Sequence, residues 1–161
     1  MVRRTLRRTL RRIKARRLCS ESRDLSCVPV GYIWTMNLKR VALIAHDGKK
    51  DDLVEFVQNH LTWFSQLELV GTGTTGGRIE ELGLTVERLA SGPLGGDAQI
   101  AARITEGRLD AVIFFRDPMG KHPHEPDVNM LLRQCDVHNV ALATNRATAE
   151  WLVAAAGKAQ A

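Results

Sequence analysis

Val41-Ala-Leu-Ile-Ala45 is an unbroken apolar run that ends in His46-Asp47. A strand buried on both faces reads this way, because helices covering both sides of a parallel sheet leave no solvent face to alternate towards. Asp51 to about Phe64 follows, with Leu53, Val54, Phe56, Val57 and Leu61 at helical spacing. Leu67-Glu-Leu-Val70 predicts a second strand, and Thr72-Gly-Thr-Thr-Gly-Gly77 a turn opening a helix through Ile79 and Leu82. A short third strand is expected near Thr85–Leu89. Asp97 to Gly107 predicts a helix with Ile100, Ala101 and Ile104 on one face and Gly107 as its C-terminal cap. Asp110–Phe115 reads as the fourth strand, Asp127 to about Val137 as a helix, Val140–Thr144 as the fifth strand and Ala147–Ala156 as the last helix. Strand–helix alternation at this spacing predicts an α/β fold. The expected architecture is a single three-layer, doubly wound domain with a five-stranded, mainly parallel sheet.

The chain has 161 residues, of which 44% are hydrophobic and 25% charged. These are ordinary globular values and exclude wholesale disorder, collagen-like and coiled-coil architectures. No apolar run reaches the roughly 18 residues of a membrane-spanning helix. The net charge of +5 is unevenly placed. Residues 1–35 hold ten Lys and Arg against two acids, and residues 36–161 hold 13 against 16, so the extension carries +8 and the body −3. A mildly acidic body is not expected to bind nucleic acid. The Arg-rich extension is open to three readings: a transit peptide, a basic arm for RNA or lipid, or an upstream mis-called start. For the last, Met36 opens MNLKRVALIAHD, a short polar lead running straight into the first strand. No apolar stretch of a secretory signal follows the arginines. Cys19, Cys27 and Cys135 are odd in number and lack zinc-type spacing, as expected of free thiols in a reducing cytoplasm.

In a parallel sheet of this kind, ligands bind beyond the carboxyl ends of the strands. His46-Asp47 follows strand one, Thr72–Gly77 strand two, Ser91–Asp97 strand three and Asp117–Asp127 strand four. Glycines and Thr hydroxyls in Thr72-Gly73-Thr74-Thr75-Gly76, at a helix N-terminus, suit a phosphate; a Thr-rich helix cap is the plainer alternative. The stretch lacks the dinucleotide and Walker glycine patterns. In Ser91-Gly-Pro-Leu-Gly-Gly-Asp97, Ser91 and Gly92 offer donors to the same anion, and Asp97 is expected either as a helix N-cap or as a general base. Lys50 is either a point charge for the phosphate or a solvated helix residue. His122 and His124 sit in a Pro-rich loop with scattered acids, a pattern that favours an Asp–His hydrogen bond over a metal site.

Taken together, HD-x-x-K, TGTTG, SGPLGGD, DP and PHEPDV, in this order and spacing, resemble methylglyoxal synthase from Met36 to about Ala156. Residues 1–35 have no counterpart in the resemblance. It implies a flavodoxin-like fold, usually assembled as a homohexamer, and a cofactor-free lyase. That enzyme takes dihydroxyacetone phosphate to methylglyoxal and inorganic phosphate, a bypass of glycolysis. Matched by motif, Asp97 is the base and His124 binds the carbonyl and hydroxyl oxygens. Lys50, Thr72, Gly73, Thr74, Thr75, Ser91 and Gly92 form the phosphate and substrate cradle. His46 is a substrate contact, and Asp47, Asp117 and Asp127 are supporting acids. The C-terminal extension of some longer members, whose Arg reaches a neighbouring subunit, has no match in WLVAAAGKAQA, so Arg-mediated signalling between subunits is not expected. A non-catalytic phosphate-sensing domain of the same fold is the competing expectation.

Overall fold

The computed structural model describes residues 38–120 and 125–157. The Arg-rich extension, Met36, Cys19, Cys27, His122 and His124 lie outside the described residues. The described residues belong to one compact unit, 35–161.

Among the described residues, five strands alternate with helices: β1 Arg40–Ala45, α1 Lys50–Asn59, α2 Leu61–Phe64, β2 Glu68–Thr72, α3 Gly73–Glu80, β3 Val86–Leu89, α4 Gly96–Thr105, β4 Ala111–Phe115, α5 Glu125–His138, β5 Ala141–Ala143 and α6 Arg146–Gly157. All pairings are parallel, in the order β3-β2-β1-β4-β5. The α/β expectation holds, and the apolar runs of β1 and β4 pair at the centre, Val41 beside Ala111 through Ala45 beside Phe115.

Strand pleating divides the core into two layers. Val41, Leu43, Ile113 and Phe115 face α1, α2, α3 and α6, and pack on Leu53, Phe56, Phe64, Ile79 and Val153. Ala42, Ile44, Val112 and Phe114 face α4 and α5, and pack on Ile100, Ile104, Val128, Leu131 and Cys135. Burial pushes the Cys135 thiol up to about 11, helped by Asp136, so it serves as a small core hydrophobe.

Element boundaries depart from the sequence expectation where backbone geometry intervenes. The helix expected from Asp51 to Phe64 breaks at His60, whose φ of −117° and ψ of 26° are not helical. His60 Nε2 pairs there with Glu150 of α6 at 2.8 Å. The turn expected at Thr72–Gly77 does not exist. Strand β2 runs to Thr72, and α3 starts on the next residue. Gly71 permits this abrupt change, because a Cβ there would stand 2.9 Å from the Gly76 Cα. Gly107, with φ +67°, ends α4 one residue beyond Glu106.

Asp110 stands just before β4 rather than in it. Its carboxylate accepts from the Lys39 and Arg40 amides at 3.0 and 2.9 Å and from the Arg40 guanidinium at 3.1 Å. Burial pushes this carboxyl up, but the Arg40 side chain and the two amides outweigh it and hold it below its ordinary value. A carboxyl whose folded value is depressed stabilises the fold above its unfolded value, near 4. That contribution is lost as pH falls through the lowered folded value. Asp110→Asn should therefore lower stability by about 1 kcal/mol at pH 7, and by less at pH 3. Urea midpoints at the two pH values check this.

Candidate active site

The carboxyl ends of β1, β2, β3 and β4 enclose a cleft of about 250 Å³. Ile44, Ala45, His46 and Asp47 line it from β1 and its exit, and Lys50 from the start of α1. Thr72, Thr74 and Thr75 come from β2 and α3, Ser91, Gly92 and Pro93 from the loop into α4, Asp97 from the first turn of α4, and Phe114 from β4. The cleft spans the point where connections from β1 and its two neighbours part to opposite faces of the sheet, the place a doubly wound sheet opens to a ligand.

His46 leaves β1 with its amide donating to the Phe115 carbonyl at 3.1 Å. Its ring is buried and meets Phe114 edge-on at 5.0 Å. The Asp117 amide donates to Nδ1 at 3.0 Å. A backbone N–H can only donate, so Nδ1 accepts and the ring proton sits on Nε2. Asp117 thus acts on the cleft through its backbone. Its carboxylate accepts from the Met119 amide at 3.1 Å within its own loop and does not line the cleft.

Asp47 begins a short 3-10 turn, Asp47–Lys49, that leads into α1. Lys50 Nζ reaches back to Asp47 at 2.5 Å and across to Thr74 Oγ1 at 2.6 Å. The Asp47 side chain is 95% exposed while that of Lys50 is 17% exposed, so the ammonium is drawn inward over the α3 N-terminus.

At α3, Thr72 is the N-cap with extended backbone and makes no side-chain cap bond, so its hydroxyl is not used to close the helix. The Gly73 amide donates to the Ala90 carbonyl at 3.2 Å. The Thr74 and Thr75 amides belong to the first helical turn, where no intrahelical acceptor exists. Thr75 is 1% exposed, and its hydroxyl has no partner among the described residues. Gly73 lies behind the cleft wall, where a Cβ would press to 3.1 Å from the Ser91 amide nitrogen.

The expectation of Asp97 as N-cap fails. Helix α4 begins at Gly96, and the capping position is Gly95, in the left-handed region with φ +94°. A 3-10 turn, Gly92–Leu94, takes up the residues between Ser91 and Gly95. Asp97 is thereby drawn into the first turn of α4, 1% exposed and lining the cleft. Helix N-termini favour a carboxylate.

The structure brings His46, Asp47, Lys50, Thr72, Thr74, Thr75, Ser91, Gly92 and Asp97 to one cleft. Asp127 is exposed on α5 and does not line it. Arg116 pairs with Glu125 at 3.1 Å, joining the exit of β4 to the start of α5. Ile44, Ala45, Pro93 and Phe114 also line the cleft and were not among the site residues expected from sequence. Pro93 lies inside SGPLGGD and was legible there. Phe114 is one apolar residue among five in β4, and nothing in that run marks which of them meets the cleft.

The family model described as MGS-like domain matches residues 52–144, more than half of the chain. A methylglyoxal synthase of Ralstonia nicotianae is 58% identical over 123 residues, covering 76% of this chain and 91% of the relative. The chain belongs to the methylglyoxal synthase family. A member from Moorella thermoacetica is 64% identical over 111 residues, covering 68% of this chain and 87% of its own. The crystal structure of methylglyoxal synthase from Elizabethkingia anophelis superposes with a TM-score of 0.69 at 47% identity, covering 73% of this chain and 78% of that one. The family span starts at residue 52, so it contains both glycine-rich loops but not His46, Asp47 or Lys50. Those three enter the cleft through the geometry of β1.

Proposed function

We propose that this enzyme of the methylglyoxal synthase family eliminates phosphate from dihydroxyacetone phosphate, with Asp97 as the general base. The observation that carries the reading is the placement of a buried carboxylate in the same small cleft as the amides and hydroxyls of the α3 N-terminus and the Lys50 ammonium. A phosphoryl group at α3 would take the Thr74 and Thr75 amides, with Lys50, Ser91 and Gly92 around it. Asp97 would then face the carbon skeleton.

Asp97 removes a proton from the hydroxymethyl carbon. The electron pair of that C–H bond becomes the enediolate, whose oxygens accept from His46 Nε2–H and from neutral His124. When the C–O bond to phosphate stands perpendicular to the enediolate plane, the same pair expels phosphate. The resulting enol then becomes methylglyoxal. The cradle thus binds phosphate and also sets the torsion that favours elimination over isomerisation. Asp47 supports Lys50 through their ion pair, Asp117 orients His46 through its amide, and Asp127, in the first turn of α5 and outside the cleft, contributes only at a distance. Neither metal nor nucleotide takes part in these steps. Colorimetric detection of methylglyoxal from dihydroxyacetone phosphate tests the reading. A folded protein that binds phosphate but makes no product would support the competing sensor domain.

Lys50→Ala should weaken substrate and inorganic phosphate alike, by about ten- to a hundredfold, as expected for a charge-assisted contact worth about 1.5–3 kcal/mol. Calorimetry with phosphate measures it, and an unchanged affinity makes Lys50 a surface residue. Inorganic phosphate should inhibit, at least in part competitively, because product and substrate phosphoryl group share one cradle; initial rates across a phosphate series check this.

The resemblance also supports a cytoplasmic homohexamer, which sedimentation would test; a monomer would overturn it. A chain beginning at Met36 should fold and turn over as the full chain does, and should bind a polyanion resin less, because residues 36–161 carry −3. Loss of activity in that shorter chain would make the extension part of the working enzyme.

A further inference from the structure

Arg88 stands on β3, outside the lining of the cleft. Strand alternation sends Glu87 to the α4 face, where Arg103 grips it with two bonds of 2.6 Å. Arg88 shares the other face with Val86 and lies along α3. Its Cγ is 3.0 Å from where a Gly76 Cβ would stand, and its guanidinium carbon is 3.4 Å from where a Gly77 Cβ would stand. Its Nε donates to the Gly73 carbonyl at 3.2 Å, and its Nη1 stands 3.6 Å from Glu80 Oε2. Positions 73, 76, 77 and 80 form a single helical stripe. Three glycines followed by a carboxylate make a shallow track that one Arg side chain fills.

The bond to Gly73 reaches into the cradle. The Gly73 carbonyl and the Thr74 N–H belong to one peptide group, and that N–H is an amide the first turn leaves without an intrahelical acceptor. A cationic donor on the carbonyl oxygen draws electron density from the amide and strengthens its N–H as a donor. It also fixes the peptide plane, where flanking glycine would otherwise allow rotation. We propose that Arg88 is a positioning residue of the anion cradle. It orients and polarises the Gly73–Thr74 peptide so that the Thr74 N–H meets a phosphoryl oxygen, and it never touches the ligand. The inference rests on the phosphate cradle of the proposed function.

Arg88→Met keeps the aliphatic stem over Gly76 and removes the guanidinium. Arg88→Lys keeps the charge but loses the planar donor. Calorimetry of the full chain with inorganic phosphate should show affinity weakened about three- to tenfold in Arg88→Met, and less in Arg88→Lys. The KM for dihydroxyacetone phosphate should rise by the same factor, with kcat falling less than about twofold, since Asp97 is untouched. A residue that merely braced β3 against α3 would lower the melting temperature and leave phosphate affinity and KM where they were. Wild-type phosphate affinity in folded Arg88→Met overturns the inference while leaving the proposed function intact. A wild-type chain that forms no methylglyoxal and binds no phosphate overturns both.

Discussion

Asp97→Asn should fold normally and lose at least about a hundredfold in turnover, the low end of what removal of a general base costs. The amide is nearly isosteric, so the first turn of α4 can keep its shape around a side chain that is 1% exposed. What disappears is the capacity to take a proton. Phosphate binding, assigned to α3, Lys50, Ser91 and Gly92, should change far less. The expected signature is a large fall in kcat with phosphate affinity retained, read from initial rates and from calorimetry with inorganic phosphate. Near-wild-type turnover in the folded variant would remove Asp97 from the role of base.

Gly96→Ala should damage both the fold and the reaction. A Cβ at Gly96 would stand 2.1 Å from the Ala90 carbonyl oxygen and 2.9 Å from its carbon. Both are backbone atoms at the exit of β3, so no side chain can swing away. The helix N-terminus must retreat, and Asp97, the next residue, goes with it. Overpacking of this kind costs about 1–3 kcal/mol or more. A displacement of about 1 Å at a reacting group costs on the order of a hundredfold in rate. Gly95→Ala is the control. Gly95 has φ +94° but nothing within 4 Å of its missing Cβ, so that variant should lose about 1–3 kcal/mol to backbone strain without an added clash. Melting temperatures and turnover for the two variants separate the effects, and a Gly96→Ala protein as stable and active as wild type would refute the crowding argument.

The architecture was open to a reader of the sequence because both of its signals are local. Unbroken apolar runs such as Val41–Ala45 and Ala111–Phe115 exist only where helices cover both faces of a strand, and periodic apolar residues such as Leu53, Phe56 and Val57 mark the helices between them. The two glycine-rich loops made a phosphate site an expectation through composition alone, with a Thr-rich helix cap as the plainer alternative, since close backbone approach needs glycine and anion binding needs free amides. HD-x-x-K, TGTTG, SGPLGGD, DP and PHEPDV, taken together in their order and spacing, pointed to the family that the relatives then showed.

Other features required the folded chain. Whether Asp97 caps α4 or faces the cleft depends on one left-handed residue, Gly95, which takes the capping position two residues earlier, and on the 3-10 turn before it. No local preference distinguishes the two outcomes. The His46 tautomer depends on the amide of Asp117, 71 positions away in the chain. The track that Arg88 fills exists only because β3 lies beside β2 and brings an otherwise ordinary strand arginine over three glycines. Each of these turns on which backbone atoms approach a side chain from another element. Sequence determined the layers and the chemistry supplied at their rim, and tertiary structure decided which atoms of that chemistry face one another, because hydrogen bonds and steric contacts act across spatial, not sequential, distance.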